Sequence, residues 1–204
     1  MYNKKLIISG LSLLAIILFS QEAAATPSFQ SGDIIFQTSN SLQSKMLERA
    51  TRSKITHVGI IFTRKNKHYV AEASSRVRII SLSKWIKRGK KKKYAVMRLN
   101  EGIKKENFVL LEAYIKKQLG KRYDSRFQWG DNKIYCSELV WKAYSAFGIK
   151  LTKPKTFNDF SLGSKIVKSA IRKRYKTKIN LEEPVVAPID IFKSKKLQTV
   201  FSNY

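Results

Sequence analysis

The 204-residue sequence contains only one cysteine, four prolines and nine glycines. A single cysteine excludes an internal disulfide framework and any metal site built from several cysteines. So few glycines and prolines exclude a collagen-like or low-complexity chain. Acidic residues are also scarce, with 14 Asp and Glu against 41 Lys and Arg, so the net charge is +27. A chain this basic is expected to meet an anionic partner.

Hydrophobic residues make up 43% of the chain, which is too many for an intrinsically disordered protein. The length is typical of one domain that buries its own core. We find no internal repeat and no linker rich in Ser, Gly or Pro. The sequence does not indicate an oligomeric state.

The first 25 residues have the pattern of a secretory signal. Lys4 and Lys5 form a positive start, Leu6–Phe19 is mostly apolar, and small residues follow as far as Ala25. The apolar run is shorter than the ~20 residues that a membrane span needs, and an uncleaved anchor is the alternative. We therefore predict a cleaved signal peptide and one soluble domain, residues 26–204, in the periplasm or outside the cell. Cleavage removes two lysines and one glutamate, which lowers the net charge from +27 to +26.

Apolar spacing and turn residues predict a domain with several strands followed by helices, which is an α+β arrangement. The predicted strands are 34–36, 57–62, 69–73, 77–80, 94–99 and a last strand over 185–192. The predicted helices are 41–52, a capped turn at 81–85, one around 108–119 that stops at Gly120, 136–147, and a weaker basic helix over 160–174. The segment 121–135 is predicted to be a loop.

Cys136 begins the helix whose buried stripe is Leu139, Val140, Ala143 and Phe147. Free backbone N–H groups and the positive end of the helix dipole favour the thiolate there. Glu138 in the first turn is expected to cap the helix and to face solvent or a basic partner. A lone cysteine in an exported protein is a reactive thiol, an intermolecular link or a small buried side chain.

A cysteine nucleophile needs a base, and the sequence offers only His57 and His68. A hairpin loop over 64–67 would pair Thr63 with His68 and Gly59 with Glu72. His57 and Glu72 would then share one face of the sheet, diagonally across from each other. This predicts a Cys–His–carboxylate arrangement, with Glu72 orienting His57. A register slip of one residue would turn Glu72 away, and His68 beside the Lys-rich turn is interpreted as a structural or surface residue.

Three short motifs resemble those of NlpC-type papain-like cell-wall peptidases: Gly32–Phe36, Thr56–Ile60 and Tyr135–Val140. Two more, Gly120–Asp124 and Pro188–Phe192, match the pattern of a circularly permuted group related to that family. The cysteine helix comes first in the usual order of that family, whereas here it follows the His-Val-Gly strand. The chain therefore resembles the circularly permuted YiiX-like group, relatives of lecithin:retinol acyltransferase-like enzymes, over about residues 30–200.

The resemblance implies a permuted papain-like fold, in which a central antiparallel sheet packs on helices and the cysteine begins a helix. It implies that Cys136 is the nucleophile, that His57 is the base and that Glu72 is the third polar member. It also implies that Tyr123 lines the substrate site and helps the Cys136 backbone N–H to bind the oxyanion. No metal and no organic cofactor is expected.

The function predicted first is a secreted cysteine hydrolase, of the amidase, peptidase or acyl-transfer type, that works through an acyl-thioester. Candidate substrates are peptidoglycan peptides and acylated lipids, and the basic surface suits an anionic membrane or envelope polymer. The alternative is a non-catalytic basic protein that binds the envelope or lipid, through runs such as 87–93 and 165–178. Nucleic acid is disfavoured, because the chain is predicted to be exported and carries no recognisable nucleic-acid module.

Overall fold

The computed structural model of this protein describes residues 28–175 and 178–204. The predicted signal segment, residues 1–25, lies outside this described part. Within it, no helix is both long enough and apolar enough to cross a membrane.

Most of the described chain forms short strands and helices. The strands are β1 (Ile34–Ser39), β2 (His57–Arg64), β3 (Lys67–Ala73), β4 (Val77–Ser81), β5 (Gly89–Leu99), β6 (Arg122–Tyr123), β7 (Lys133–Ile134), β8 (Lys155–Thr156), β9 (Pro184–Val185) and β10 (Leu197–Ser202). The helices are α1 (Leu42–Thr51), α2 (Leu82–Lys87), α3 (Lys105–Gln118), α4 (Cys136–Ser145), α5 (Lys165–Arg174) and α6 (Pro188–Phe192), with a 3₁₀ turn at Phe157–Asp159.

One antiparallel sheet organises the domain, with strand order β10-β5-β1-β2-β3-β4. Its two faces are covered differently because successive strand residues point to opposite sides. Val58 and Ile60 pack in the larger apolar cluster with α3 and α4, whereas Ile61 packs on the other face with Trp85 of α2. A third apolar cluster lies between α1 and α5. The predicted α+β class, with a central antiparallel sheet packed on helices, is confirmed.

The β2–β3 hairpin has the predicted register. Thr63 pairs with His68, and Ile60 pairs with Ala71, so the next pair along is Gly59 with Glu72. The turn is tighter than the predicted loop, because Arg64 pairs with Lys67 and leaves only Lys65 and Asn66 between the strands. Both turn residues have positive φ, 46° and 58°, which is the geometry of the two-residue turns that fit the twist of a hairpin.

The predicted last strand over 185–192 is wrong. Only Pro184–Val185 is extended, Pro188–Phe192 is helical, and the strand that closes the sheet is Leu197–Ser202. Pro188 has no N–H to give to a strand and is preorganised for the first position of a helix. The Asp190 carboxylate accepts the backbone N–H of Ala187 at 3.3 Å, which caps that helix.

Other boundaries differ by a few residues. Strand β5 begins at Gly89, five residues before the predicted start, because Gly89 pairs with Ser39 beyond an irregularity at which β5 has the extra residues. The predicted loop 121–135 contains the short parallel pair β6–β7. Helix α5 begins at Lys165, where the Ser164 hydroxyl accepts the Val167 N–H at 3.4 Å and caps the helix.

Gly59 lies where two strands approach closely. A Cβ at Gly59 would lie 2.5 Å from Val70 Cγ1 and 2.8 Å from the Ala71 carbonyl oxygen. We predict that Gly59→Ala lowers the free energy of unfolding by about 1–3 kcal/mol, the usual cost of overpacking. Urea unfolding measures the effect, and Gly130→Ala is the control, because nothing lies within 4 Å of its added Cβ. Equal stability of the two variants would contradict the prediction.

Candidate active site

Cys136 is the first residue of α4, and its thiol is buried where that helix meets β2. The sulfur lies within hydrogen-bonding reach of the His57 ring, the Val58 backbone N–H and the Tyr123 hydroxyl. Helix α4 is held in place by its buried stripe, which includes Leu139 and Val140 in the main core. The sulfur therefore faces three hydrogen-bonding groups within an otherwise apolar region.

His57 is the first residue of β2, and its ring is fixed from two sides. The ring stacks on Trp85, with ring centroids 5.7 Å apart and planes 19° apart. Its Nε2 lies 2.7 Å from Glu72 Oε2. Because Nε2 is engaged by the carboxylate, Nδ1 is the nitrogen left for the sulfur of Cys136.

Glu72 is fully buried, and three basic side chains hold its carboxylate. Besides His57, Arg78 Nε donates to Oε1 at 3.0 Å and Arg88 Nη2 donates to Oε2 at 2.5 Å. Burial alone would raise the pKa of Glu72, but the hydrogen bonds and charges of His57 and Arg88 outweigh it and lower the pKa to about 2. The carboxylate is therefore charged at every pH at which the protein is expected to work.

The same contacts shift both members of the Cys136–His57 pair toward their charged forms. Burial acts to lower the pKa of His57, but its hydrogen bonds to Cys136 and Glu72 raise the pKa to about 9. Burial acts to raise the pKa of Cys136, but the hydrogen bond and charge of His57 lower it. These contacts therefore favour a thiolate beside an imidazolium, the reactive form of a cysteine nucleophile.

The Tyr123 hydroxyl lies between the sulfur and α1. Gln43 Nε2 donates to this hydroxyl oxygen at 2.5 Å, and Arg174 Nη2 donates to Gln43 Oε1 at 3.3 Å. Burial and the adjacent Cys136 charge raise the pKa of Tyr123 well above its ordinary value. The hydroxyl therefore keeps its proton and can donate it in a hydrogen bond to an anion beside the sulfur.

The structure thus brings together all four residues singled out by sequence: Cys136, His57, Glu72 and Tyr123. His68 is elsewhere, because its Nδ1 lies 2.9 Å from the Thr63 hydroxyl near the hairpin turn. Glu138 has a basic partner, as the sequence predicts: Lys142 Nζ lies 2.8 Å from Glu138 Oε1.

Sequence reasoning missed four groups that touch the site residues: Trp85, Arg78, Arg88 and Gln43. Arg78 could have been found, because it pairs directly with Glu72 in the β3–β4 register. Arg88 lies inside a basic run whose sequence predicts only a charged binding surface. Nothing in the local sequence of α1 or α2 marks Gln43 or Trp85, which reach the site only through tertiary packing.

An open polar cleft leads to the site from one side. It has a volume of about 550 Å³, and its walls include His57, Tyr123, Arg88 and Gln43. A substrate entering this cleft would meet hydrogen-bond donors of both Tyr123 and Arg88. Among the described residues, no group of three or more His, Cys, Asp or Glu side chains could hold a metal ion.

The profile of a family described as "Permuted papain-like amidase enzyme, YaeF/YiiX, C92 family" matches residues 28–201. The chain belongs to this family. The activity class of this family is that of cysteine hydrolases and amidases. The resemblance to the permuted YiiX-like group and the permuted papain-like fold, both predicted from the sequence, are confirmed.

Two relatives of this YaeF/YiiX family are similar over most of their length. The "Uncharacterized protein YiiX" of Escherichia coli K12 is 41% identical over 172 residues, which is 84% of this chain and 85% of the relative. A crystal structure titled as the metalloprotein yiiX of Escherichia coli O157:H7 superposes with a TM-score of 0.82 at 40% identity. That match covers 86% of this chain and 98% of the other.

We predict that Glu72→Gln weakens the thiolate–imidazolium pair, since a neutral amide no longer favours the charged ring. The pKa of His57 should fall and that of Cys136 should rise. The rate of Cys136 alkylation by iodoacetamide, followed from pH 4 to 10, should therefore reach half its maximum at a higher pH than in the native protein.

The matched control is Glu112→Gln, which removes a partly exposed carboxylate paired with Arg64 and Lys116. Its alkylation curve should overlay that of the native protein. If Glu72→Gln gives the same curve as Glu112→Gln, then the Glu72 carboxylate does not control the charge of the pair.

Proposed function

We propose that this chain is a secreted cysteine hydrolase or acyltransferase that cleaves an ester or amide of a cell-envelope substrate through an acyl-thioester on Cys136. The observation that carries the proposal is the continuous line of contacts from the sulfur to His57 and on to Glu72. Membership of a family of papain-like amidases supports the same class of reaction.

In the proposed reaction, the Cys136 thiolate attacks the carbonyl carbon of the substrate. The oxyanion that forms accepts hydrogen bonds from the Tyr123 hydroxyl and the Cys136 backbone N–H at the start of α4. His57 then gives its proton to the leaving oxygen or nitrogen as the bond to the carbonyl carbon breaks. A water or a second acceptor, deprotonated by His57, attacks the thioester and releases Cys136.

Glu72 acts through His57 in this scheme and does not touch the substrate. Its hydrogen bond to Nε2 directs Nδ1 toward the sulfur, and its charge stabilises the imidazolium. Stacking on Trp85 prevents rotation of the ring. These contacts support a role for Glu72 and Trp85 as positioning residues.

The E. coli O157:H7 relative is titled a metalloprotein. In this chain Cys136 and His57 would offer only two donors, and His57 Nε2 is already engaged by Glu72. No third His, Cys, Asp or Glu completes a metal-binding group among the residues that the structure describes. The donor set does not fit a resident metal ion, and the proposed steps use none.

We further propose that the mature protein is exported and approaches an anionic membrane through the outer side of α5 and the start of α1. Lys165 and Lys173 are exposed there, along one surface groove with Leu42 and Ile166. Leu42 is 80% exposed and Ile166 is 36% exposed. Exposed apolar side chains flanked by lysines suit the boundary between lipid headgroups and acyl chains.

The nucleophile assignment predicts the reactivity of the single cysteine. Near neutral pH a thiol-selective electrophile should label Cys136 much faster than free cysteine, because His57 lowers the pKa of the thiol. His57→Ala should abolish that excess rate, and it should also lower turnover of activated acyl esters by about 100-fold or more. Mass spectrometry of the intact protein measures the labelling.

His68→Ala is the matched control, since it removes the other histidine without touching the site. Its labelling and turnover should equal those of the native protein, and Cys136→Ala should show no turnover. Labelling no faster than a model thiol, unchanged by His57→Ala, would favour a non-catalytic basic protein that binds the envelope. Turnover that survives Cys136→Ala would overturn the nucleophile assignment.

If the outer side of α5 and the start of α1 bind an anionic membrane, the protein should float with liposomes that contain phosphatidylglycerol and not with neutral liposomes. The double variant Lys165→Glu/Lys173→Glu should lose this binding. The variant Lys195→Glu/Lys196→Glu changes the net charge by the same amount, at exposed positions before β10. It should keep most of the liposome binding. Binding independent of lipid charge and of salt would contradict the proposal.

A further inference from the structure

An open pocket lies on the surface of the domain beside the second half of α4, apart from the proposed active site. It has a volume of about 610 Å³, which is typical of sites for small ligands. Its wall includes Trp129, Trp141, Pro184 and the segment 152–156, and none of its described lining residues also lines the polar cleft. Trp141 follows Cys136 by five residues, so the two side chains leave the helix about 140° apart. The pocket is therefore a separate site.

Two tryptophans form an aromatic surface in this pocket, and both are held in place. Their ring centroids lie 5.2 Å apart, with the planes at 71°. Trp141 Nε1 donates to the Thr152 carbonyl at 2.8 Å, and the Trp129 backbone N–H donates to Glu183 Oε1 at 2.6 Å. Lys142 Nζ lies 5.1 Å from the centre of the Trp129 ring. Both rings pack on the main apolar cluster but stay partly exposed. A ligand therefore finds a preorganised surface, which lowers the entropic cost of binding.

The charged part of the pocket wall is positive. Lys150, Lys153 and Lys155 line the pocket, and no acidic residue of the described chain does. Lys155 Nζ is paired with Asp190 Oδ1 at 2.6 Å. Lys150 and Lys153 are exposed, and neither forms an ion pair within residues 28–175 and 178–204. A ligand in this pocket consequently meets flat apolar rings beside two positive charges that have no carboxylate partner.

We propose that this pocket binds an acidic polysaccharide, that is, a sugar polymer whose rings carry carboxylates. The C–H bonds on one face of a sugar ring can pack on a tryptophan ring, while its hydroxyls stay in water at the open side of the pocket. The carboxylates would pair with Lys150 and Lys153. An acidic peptide would use the lysines without the rings, and a neutral glycan would use the rings without the lysines. The inference goes beyond the proposed function and does not depend on it.

Calorimetric titration with short oligomers tests the two parts of this chemistry together and apart. Tetragalacturonate has both sugar rings and carboxylates, tetraglutamate with blocked ends has the same number of carboxylates but no sugar, and maltotetraose has sugars but no charge. We expect the full mature protein to bind tetragalacturonate at least about tenfold more tightly than either of the others. The titrations use about 150 mM salt, which screens long-range attraction between the basic protein and any anion.

Trp129→Ala should weaken the binding of tetragalacturonate by about tenfold and should leave that of tetraglutamate unchanged. Phe108→Ala is the matched control, because it removes a half-buried aromatic ring of α3 that packs on the same apolar cluster. It should bind all three oligomers as the native protein does. Trp129→Tyr keeps an aromatic ring and should retain part of the preference for tetragalacturonate, which loss of folding would not allow.

Lys150→Glu/Lys153→Glu should weaken the binding of both acidic oligomers by about tenfold, because it reverses two charges in the pocket wall. The matched control is Lys104→Glu/Lys105→Glu, which changes the net charge by the same amount at exposed positions at the start of α3. Its affinity for both oligomers should stay close to that of the native protein. An equal loss in the two double variants would show that net charge alone attracts the oligomers and would overturn the proposal.

Three further results would overturn the proposal. They are no detectable binding of tetragalacturonate, equal binding of tetragalacturonate and tetraglutamate, and tetragalacturonate binding that Trp129→Ala leaves unchanged. Tighter binding of a short oligothymidylate, lost in Trp129→Ala, would assign the pocket to nucleic acid instead. Hydrolysis of p-nitrophenyl acetate by Trp129→Ala should equal that of the native protein. The pocket and the proposed hydrolase can therefore fail independently of each other.

Discussion

The buried carboxylate of Glu72 is the group on which the rest of the site depends. A charge with no solvent exposure is tolerated in a folded protein only if it is paired and hydrogen-bonded. Here the pairing comes from His57, Arg78 and Arg88, which approach from three different segments of the chain. Satisfying one carboxylate therefore fixes the hairpin β2–β3, the strand β4 and the end of α2 relative to one another. It also fixes the ring of His57 in the orientation that faces the thiol.

The parts of the fold that follow from local periodicity could be predicted from the sequence. Alternation along β2 and β3 placed His57 and Glu72 on one face, and the structure has the same register because a slip would bury the wrong side chains. The start of α4 at Cys136 followed from its apolar stripe. The last strand was predicted in the wrong place, because the apolar run around Pro188 suits a short helix as well as a strand. Only the proline, which has no N–H to donate within a strand, favours the helix.

The parts of the site that arise from tertiary packing could not be predicted in this way. Trp85 lies in the short helix α2 and Arg88 directly follows it, where the local sequence suggests only a capped turn and a solvated basic run. They reach Glu72 and His57 because α2 packs on the face of the sheet opposite α4. Gln43 likewise acts across a long sequence separation from Tyr123. No spacing rule connects such residues, since their contact depends on the orientation of whole elements.

The permuted order of the chain has a consequence for synthesis. His57, Glu72, Arg78, Trp85 and Arg88 all precede Cys136, so the base and its complete set of partners emerge from the ribosome first. The nucleophile follows only after α3 and the segment that carries Tyr123. Chains are made from the amino terminus, so a chain that ends before residue 136 carries the base and its partners but no thiol. Reactivity therefore requires that α4 packs against β2, and a chain that ends before Cys136 has none.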